Sequence, residues 1–428
     1  MDLKENLSKY LDQETIDKLF KSLENEPSHC LLINEEKTNY EKLKKYFSSL
    51  NPHSFIKNAY YFDANIDQPG KSFLFDNGAY YIIDASSLLV SYFLPLNDND
   101  LVLDMCAAPG GKSISCSLKN RKIIEICNDL SKNRAKLMSL NVENLGLSNM
   151  VITSTDLDTV YQNYLNTFDK IILDAPCSGS GMFRKNELMK NDWSIDKVLS
   201  LTKTQSNLLD IGFKMLKDSG ILSYSTCSFS YEENEEIILN FLKNNPDAEL
   251  INLPHIDGEY RTSQLKEAIH LFPHLYNGEG FFICLIKKHC KSTLFSSART
   301  NKASQKKKFS TMFNLDFKYE EQITNEVFLY NHPLDLSKFY IIKKGLLLCE
   351  IKEKTIVPSF HLAHYLSPTN SIELNEKQKD LYISGQTFIY DKKIENGFHV
   401  VSYDGINLGY VKSVNNTFKN YYPKGLRH

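Results

Sequence analysis

From Leu101 onward, short apolar runs alternate with longer stretches in which apolar residues recur every three or four positions. The runs are LVLD, IIEICND, MVITSTD, FDKIILD and GILSYST. Between them lie a segment opening at Lys112, one running through RAKLMSLNVENLG, and one spanning DKVLSLTKTQSNLLDIGFKMLK. Short continuous apolar runs are the mark of strands buried on both faces, and the three-to-four spacing is that of helices with one apolar stripe. Strands alternating with helices predict βαβ units and an α/β, doubly wound, Rossmann-like parallel sheet over residues 100–288. Residues 1–99 open with a polar helical segment, LDQETIDKLFKSLE, and continue as aromatic, irregular sequence that reads as a small α+β accessory domain. The segment 289–309, containing HCKSTLFSSARTNKASQKKKF, reads as a basic linker, and 310–428 as a last, β-rich domain.

A chain of 428 residues exceeds what one compact core holds, which agrees with several domains. No stretch reaches the roughly 18 uninterrupted apolar residues of a membrane span, and MDLKENLSKYLDQE lacks the basic-then-apolar order of a signal peptide. A cytoplasmic protein without membrane contacts is expected. The nine cysteines stand without a CxxC pair or a His-spaced set, so a reducing compartment and no metal site are expected. The net charge of -2 says nothing about polyanion binding, which depends on a local basic face.

Candidate chemistry gathers at the ends of the apolar runs. In LVLDMCAAPGGKS the turn Cys106, Ala107, Ala108, Pro109, Gly110, Gly111, Lys112 has only one Gly pair, short of a dinucleotide GxGxxG. Cys106 also stands where a phosphate-binding P-loop needs its first Gly. Small residues there suit close backbone approach to an uncharged nucleoside with a short charged tail, as in S-adenosyl-L-methionine. The acids fit that reading. Asp129 ends the second strand, where a carboxylate accepts from ribose hydroxyls; Asp156 ends the third, placed to meet an adenine amino group; Asp174 ends the fourth. Taken singly each could be a helix cap. Cys177 and Cys227, each just past a buried strand, suggest covalent chemistry on a pyrimidine ring, although sequence physics does not rank the two. For Cys30, Cys116, Cys127, Cys284, Cys290 and Cys349 the expected role is that of a small buried hydrophobe.

LDMCAAPGGKS, NDLSKNRAKLMSLNVENLG, ILDAPCSGSGMFRKN, YSTCSFSYEENEE and LFPHLYNGEGFF together resemble the successive motifs of the NOL1/NOP2/Sun family of RNA cytosine-5 methyltransferases, over about residues 75–288. The ending DGINLGYVKSVNNTFKNYYPKGLRH resembles the C-terminal domain of the bacterial branch that modifies small-subunit ribosomal RNA. The resemblance implies a class I methyltransferase core, S-adenosyl-L-methionine as methyl donor, a PUA-like last domain, ribosomal RNA as partner and a monomer. It further implies Cys227 as nucleophile, Cys177 as the thiol that assists product release, and Asp174 as the group facing the cytosine. DNA cytosine methyltransferases use the Pro-Cys position instead, which would favour Cys177; the additional Thr-Cys-Ser site turns the assignment toward the RNA arrangement. Transfer RNA as substrate, or an inactive RNA-binding assembly factor on the same fold, are the alternatives.

Polymer binding needs positive and aromatic surface. Arg184 and Lys185 follow the fourth strand's loop, where phosphates near a flipped base would lie, and Arg134 falls on a helix near the acids that face the cofactor. Lys412, Lys419, Lys424 and Arg427 interleave with Tyr410, Phe418, Tyr421 and Tyr422, a pattern suited to RNA backbone and base stacking. The accessory domain is also expected to bind RNA. There the chain departs from the family: Leu32 and Ile33 precede Asn34 in place of an Arg and a Val, and Ile83 and Ala85 flank Asp84 in place of Gln and Pro.

Overall fold

The computed structural model describes residues 2–289, 309–331, 335–353 and 355–427, so the expected basic linker lies outside the described residues except at its ends. At the centre is a mixed sheet built on five parallel strands: β1 (Leu101–Asp104), β2 (Ile124–Asn128), β3 (Met150–Thr153), β4 (Phe168–Asp174) and β5 (Leu216–Thr226), in the order β3-β2-β1-β4-β5. The alternation of side chains separates two cores. Val102, Cys127, Ile152 and Ile172 face one cluster, and Leu103, Ile126, Val151 and Ile171 face the other. Helices α1 (Gly111–Lys119) and α2 (Lys132–Asn144) cover the first face, and α3 (Ile195–Met215) the second. Chain order reverses at β1, which lies between β2 and β4. The crevice at the carboxyl ends of these strands is where doubly wound sheets bind ligands. This is the architecture expected from the alternation of runs.

Beyond β5 the sheet continues antiparallel through β6 (Phe281–Lys288) to short strands at Ile269–Leu271 and Glu259–Tyr260. The accessory domain contributes a four-stranded antiparallel sheet, and Cys30, Leu32, Tyr81 and Ile83 from it enter the same cluster as Ala107, Ala108, Ile114 and Met138. Its first helices, Leu3–Leu7 and Gln13–Ser22, place Leu3, Leu7, Ile16 and Leu19 on Phe183, Phe229 and Phe272. They therefore roof the two loops that carry Cys177 and Cys227. Among the described residues, no helix is long and apolar enough to cross a membrane.

The last part of the chain departs from a self-contained domain starting at 310. It holds a four-stranded sheet over 319–358 and a five-stranded sheet over 372–420. Between strands of the first, Ile341–Lys344 (β7) leaves to pair antiparallel with β3, closing the far edge of the central sheet. An uncovered β3 would leave a row of unpaired backbone groups, and β7 satisfies them. Leu336 and Phe339 follow it into the second core cluster, where the Phe339 ring lies 5.0 Å from that of Tyr164. Ile406, from the five-stranded sheet, packs in turn into the accessory domain's own cluster. The last region keeps two clusters of its own, around Leu329 and Leu348 and around Tyr382 and Phe418, while Leu336, Phe339 and Ile406 cross into cores of the earlier regions. Phe339→Ala should destabilise the methyltransferase core itself by about 3–5 kcal/mol, measured by urea unfolding of the full chain.

Candidate active site

The parallel register of β4 with β5 sets Asp174 opposite Ser225, and the Ser225 hydroxyl donates to the Asp174 carboxylate at 2.9 Å. Three residues beyond Asp174 comes Cys177, and two beyond Ser225 comes Cys227. Their sulfurs are 3.2 Å apart. The two loops are stitched together by backbone: the Gly181 N–H donates to the Cys227 carbonyl at 2.9 Å and the Gly280 N–H to the Gly181 carbonyl at 3.0 Å. These contacts need glycine. A Cβ on Gly181 would lie 2.4 Å from the Gly280 oxygen, and one on Gly280 would lie 2.3 Å from the Phe229 ring.

Lys112, on the first turn of α1, forms an ion pair with Asp174 at 2.7 Å. Burial works against its charge, but Asp174 and then the Cys227 thiol outweigh burial and hold the Lys112 pKa above its ordinary value. The Cys177 thiol is pushed well up, first by its hydrogen bond with Cys227, then by burial and by the charges of Cys227, Glu233 and Asp174. These influences favour the thiol form of Cys177, and its sulfur lies within hydrogen-bonding distance of the Cys227 sulfur. Cys106 is a different kind of cysteine: half-buried in the turn, its thiol is raised by burial and by Asp104, and its N–H donates to Asp104 at 3.3 Å.

The turn 106–112 brings small residues and an acid together. Gly110 sits at φ +112°, a conformation that excludes side chains, and a Cβ there would meet Ile114 and Met138. Ala107 and Ala108 are buried beside it, Pro109 is exposed, and Gly111 begins α1. Asp129, just past β2, accepts from the Ala108 N–H at 3.2 Å and the Ser131 N–H at 2.9 Å, and its Oδ2 lies 3.4 Å from Arg134. Arg134 also donates to the Ala108 carbonyl. Turn, acid and arginine form one unit, with Leu130 beside it 74% exposed. A small-residue turn at φ +112°, a carboxylate with acceptor capacity to spare and an uncovered apolar side chain fit a ribose, an adenine and a short charged tail.

Other expected site residues are placed differently. Asp156 lies three residues beyond β3 and is exposed, capping a short turn through the Asp158 N–H at 3.1 Å. Arg184, expected on phosphate, has a side chain only 6% exposed, bound to both Glu279 oxygens at 3.0 and 3.1 Å and to the Gly278 carbonyl at 2.7 Å. Its five donors suit this buried fork, and burying them unpaired would be costly. Lys185 reaches Asp84 at 2.9 Å while remaining partly exposed, so the acid between Ile83 and Ala85 anchors the catalytic loop to the accessory domain. Tyr410, Phe418 and Tyr422 are core residues rather than a stacking surface, and Arg427 donates to the Tyr422 carbonyl at 3.0 Å. What remains on the surface is Tyr421, edge-on to Phe398 at 5.1 Å, with Lys412 over the Phe398 ring and paired across strands with Lys419. Lys424 is exposed nearby in sequence.

Two buried acids beside these residues escaped sequence reading. Asp104 ends β1, the same signal as the other acids; it accepts from Ser113, and burial pushes its pKa up to about 7. Glu233, inside the quoted YEENEE, is fully buried beneath both thiol loops.

The 16S rRNA methyltransferase RsmB/F family matches residues 91–287, and the methyltransferase RsmF PUA domain matches 369–428. A ribosomal RNA small subunit methyltransferase F of Shewanella piezotolerans is 30% identical over 88% of this chain and 85% of its own length. The chain belongs to the RsmB/F methyltransferase family. A Vibrio parahaemolyticus protein of the same description is 29% identical over 88% of this chain and 86% of its own. Among solved structures, a methyltransferase homologue of Pyrococcus horikoshii aligns with TM-score 0.58 and 29% identity over 66% of this chain and 93% of that one. NSun6 of Pyrococcus horikoshii, solved with SFG, shares the fold at TM-score 0.62 and 20% identity, over 68% and 98% of the two chains. Membership of this family makes S-adenosylmethionine the methyl donor.

Two outcomes follow for an RsmB/F family site of this construction. Gly181→Ala should lower the unfolding temperature and abolish the family's methyl transfer, read by calorimetry and by radiolabelled methyl incorporation. Asp104 binds a proton in the fold up to about pH 7 but only below about 3.8 when unfolded, so stability should fall as pH rises across that window. Asp104→Asn should flatten that part of the profile of unfolding temperature against pH.

Proposed function

We propose that the chain transfers a methyl group to C5 of a cytosine in small-subunit ribosomal RNA through a transient thioether at Cys227. The observation that carries this reading is the pair of sulfurs 3.2 Å apart beside an Asp174–Lys112 ion pair, a set of groups that simple methyl transfer to oxygen or nitrogen does not require. Cytosine C5 is a poor nucleophile. Addition of a thiolate at C6 pushes electrons through the ring and turns C5 into the nucleophilic carbon of an enamine. Lys112 supplies the positive charge beside the attacking sulfur, and with Asp174 it offers the cytosine edge one donor and one acceptor, matching N3 and the exocyclic amine.

S-adenosylmethionine supplies an electrophilic methyl group on a sulfonium centre. The turn 106–111, Asp129 and Arg134 would hold it beside the thiols. Once C5 carries the methyl, its proton must go to a base and the C6–S bond must break. Cys177, held toward its thiol form and in contact with Cys227, is suited to receive the departing sulfur by hydrogen bond. A base can reach these thiols only when flipped out of its stack. Lys412, Lys419, Lys424 and Tyr421 offer basic and aromatic surface for the surrounding RNA.

Cys227→Ala should reduce methylation by at least about a thousandfold while leaving cofactor affinity within roughly twofold, since only the covalent step is lost. Cys177→Ala should accumulate a protein–RNA adduct that survives denaturant, and the double variant should form none. The deciding measurement is bisulfite sequencing of total RNA from cells with and without the gene. Loss of a protected cytosine in small-subunit ribosomal RNA is expected; loss confined to transfer RNA would replace the substrate, and no loss would overturn the reading.

A further inference from the structure

Directly below the two thiols lies Glu233, fully buried, and among the described residues no cationic side chain pairs with it. Its carboxylate is instead the meeting point of four donors from three elements. The Ser178 N–H donates to Oε1 at 2.8 Å and the Ser178 hydroxyl to Oε2 at 2.6 Å, both from the residue after Cys177. The Ser228 hydroxyl, from the residue after Cys227, also donates to Oε2. The Gln205 amide, on α3, donates to Oε1 at 3.0 Å and with its other hydrogen to the Pro176 carbonyl at 2.9 Å. Four donors meet the roughly four lone-pair sites of one carboxylate, so each oxygen is saturated. The Ser178 and Ser228 hydroxyls, 3.1 Å apart, reach the same oxygen. Glu233 itself is fixed: the Tyr224 hydroxyl donates to its carbonyl at 2.7 Å, and the neighbouring Asn234 binds the Thr226 hydroxyl at 2.6 Å and the Ser228 carbonyl at 2.8 Å.

We propose that Glu233 is a positioning residue for the thiol chemistry, clamping the Cys177 and Cys227 loops through Ser178 and Ser228 so that the two sulfurs stay within contact. The inference rests on the proposed thioether mechanism for its catalytic consequence, but not for its geometry. No backbone ladder joins residues 177–179 to 227–228 in the way β4 joins β5. The Gly181–Cys227 bond, the Ser180 hydroxyl that accepts from the Phe229 N–H at 2.8 Å, the Ser178–Ser228 contact and this carboxylate link them instead. The same negative charge helps keep the proton on Cys177, alongside Cys227 and Asp174, with Tyr224 behind and Lys112 on the far side of Asp174.

Glu233→Gln tests the clamp, because an amide has one oxygen to accept and turns two hydrogens toward the remaining donors. Full-length protein should show kcat for RNA methylation reduced roughly tenfold or more with KM for RNA within about twofold. In the absence of RNA, the pH at which iodoacetamide alkylates Cys177, followed by peptide mass spectrometry, should move down by roughly one unit, because a charge that favours the thiol form is gone. Thiol alkylation does not depend on which base is methylated, so a shifted profile with no activity on any RNA would reject the proposed reaction and keep the clamp. An unchanged Cys177 profile with unchanged kcat would overturn it. Should Glu233→Gln not fold, Ser178→Ala combined with Ser228→Ala removes the hydroxyls and leaves the charge; wild-type kcat in that variant would equally overturn the proposal, and a comparable drop in kcat would support it.

Discussion

Parallel pairing of β4 with β5, in a register that puts Asp174 opposite Ser225, is the constraint on which the site depends. Neighbouring strands lie about 4.8 Å apart, so the loops leaving two paired strand ends start side by side. Cys177 and Cys227 come within 3.2 Å because the loops leaving those ends are themselves bonded through Gly181, Gly280 and Glu233. Shift the register by one residue and every side chain on one strand exchanges faces, which the two apolar clusters on either side of the sheet forbid. The core thus protects the chemistry by enforcing the pairing.

Around that pair the protein has arranged charge economically. Lys112 pairs with Asp174 beside the two thiols, while Arg184 and Lys185, close by in sequence, are turned away to Glu279 and Asp84. These latter pairs join the catalytic loop, the 278–280 turn and the accessory domain. A buried fork of this kind adds little net stability over an apolar contact but penalises any arrangement that separates its partners. The accessory domain and the C-terminal strand β7 act similarly at larger scale, each contributing residues to cores that belong to the central sheet. Several sequence regions thus share packing, which sets their orientation toward the thiols.

How much of this is visible in a string of residues depends on the range of the interaction that creates it. The parallel sheet was legible because strands buried on both faces must be apolar throughout, and helices on a sheet must carry an apolar stripe; LVLD and IILD state this locally. The strand-end positions of Asp129 and Asp174, the small-residue turn and the two cysteines were legible for the same reason. Other features needed the fold. That Tyr410, Phe418 and Tyr422 are core and Tyr421 is not depends on which face of a sheet is covered, and alternating aromatic and basic residues look alike in either case. That Asp156 caps a turn depends on where β3 stops, and that β7 leaves its own sheet for β3 depends on an edge more than 180 residues away in the chain.

The residues alone therefore determined the class of fold, the place of the cofactor turn and the presence of two strand-end thiols, since each follows from patterning and local backbone needs. Tertiary structure alone decided that the thiols touch, that Arg184 is spent on Glu279, and that Glu233 lies beneath both loops. Those outcomes turn on hydrogen bonds and ion pairs between groups distant in sequence. Such bonds are directional and short-ranged, so they exist only once hydrophobic burial has already fixed the sheet register and brought the loops together.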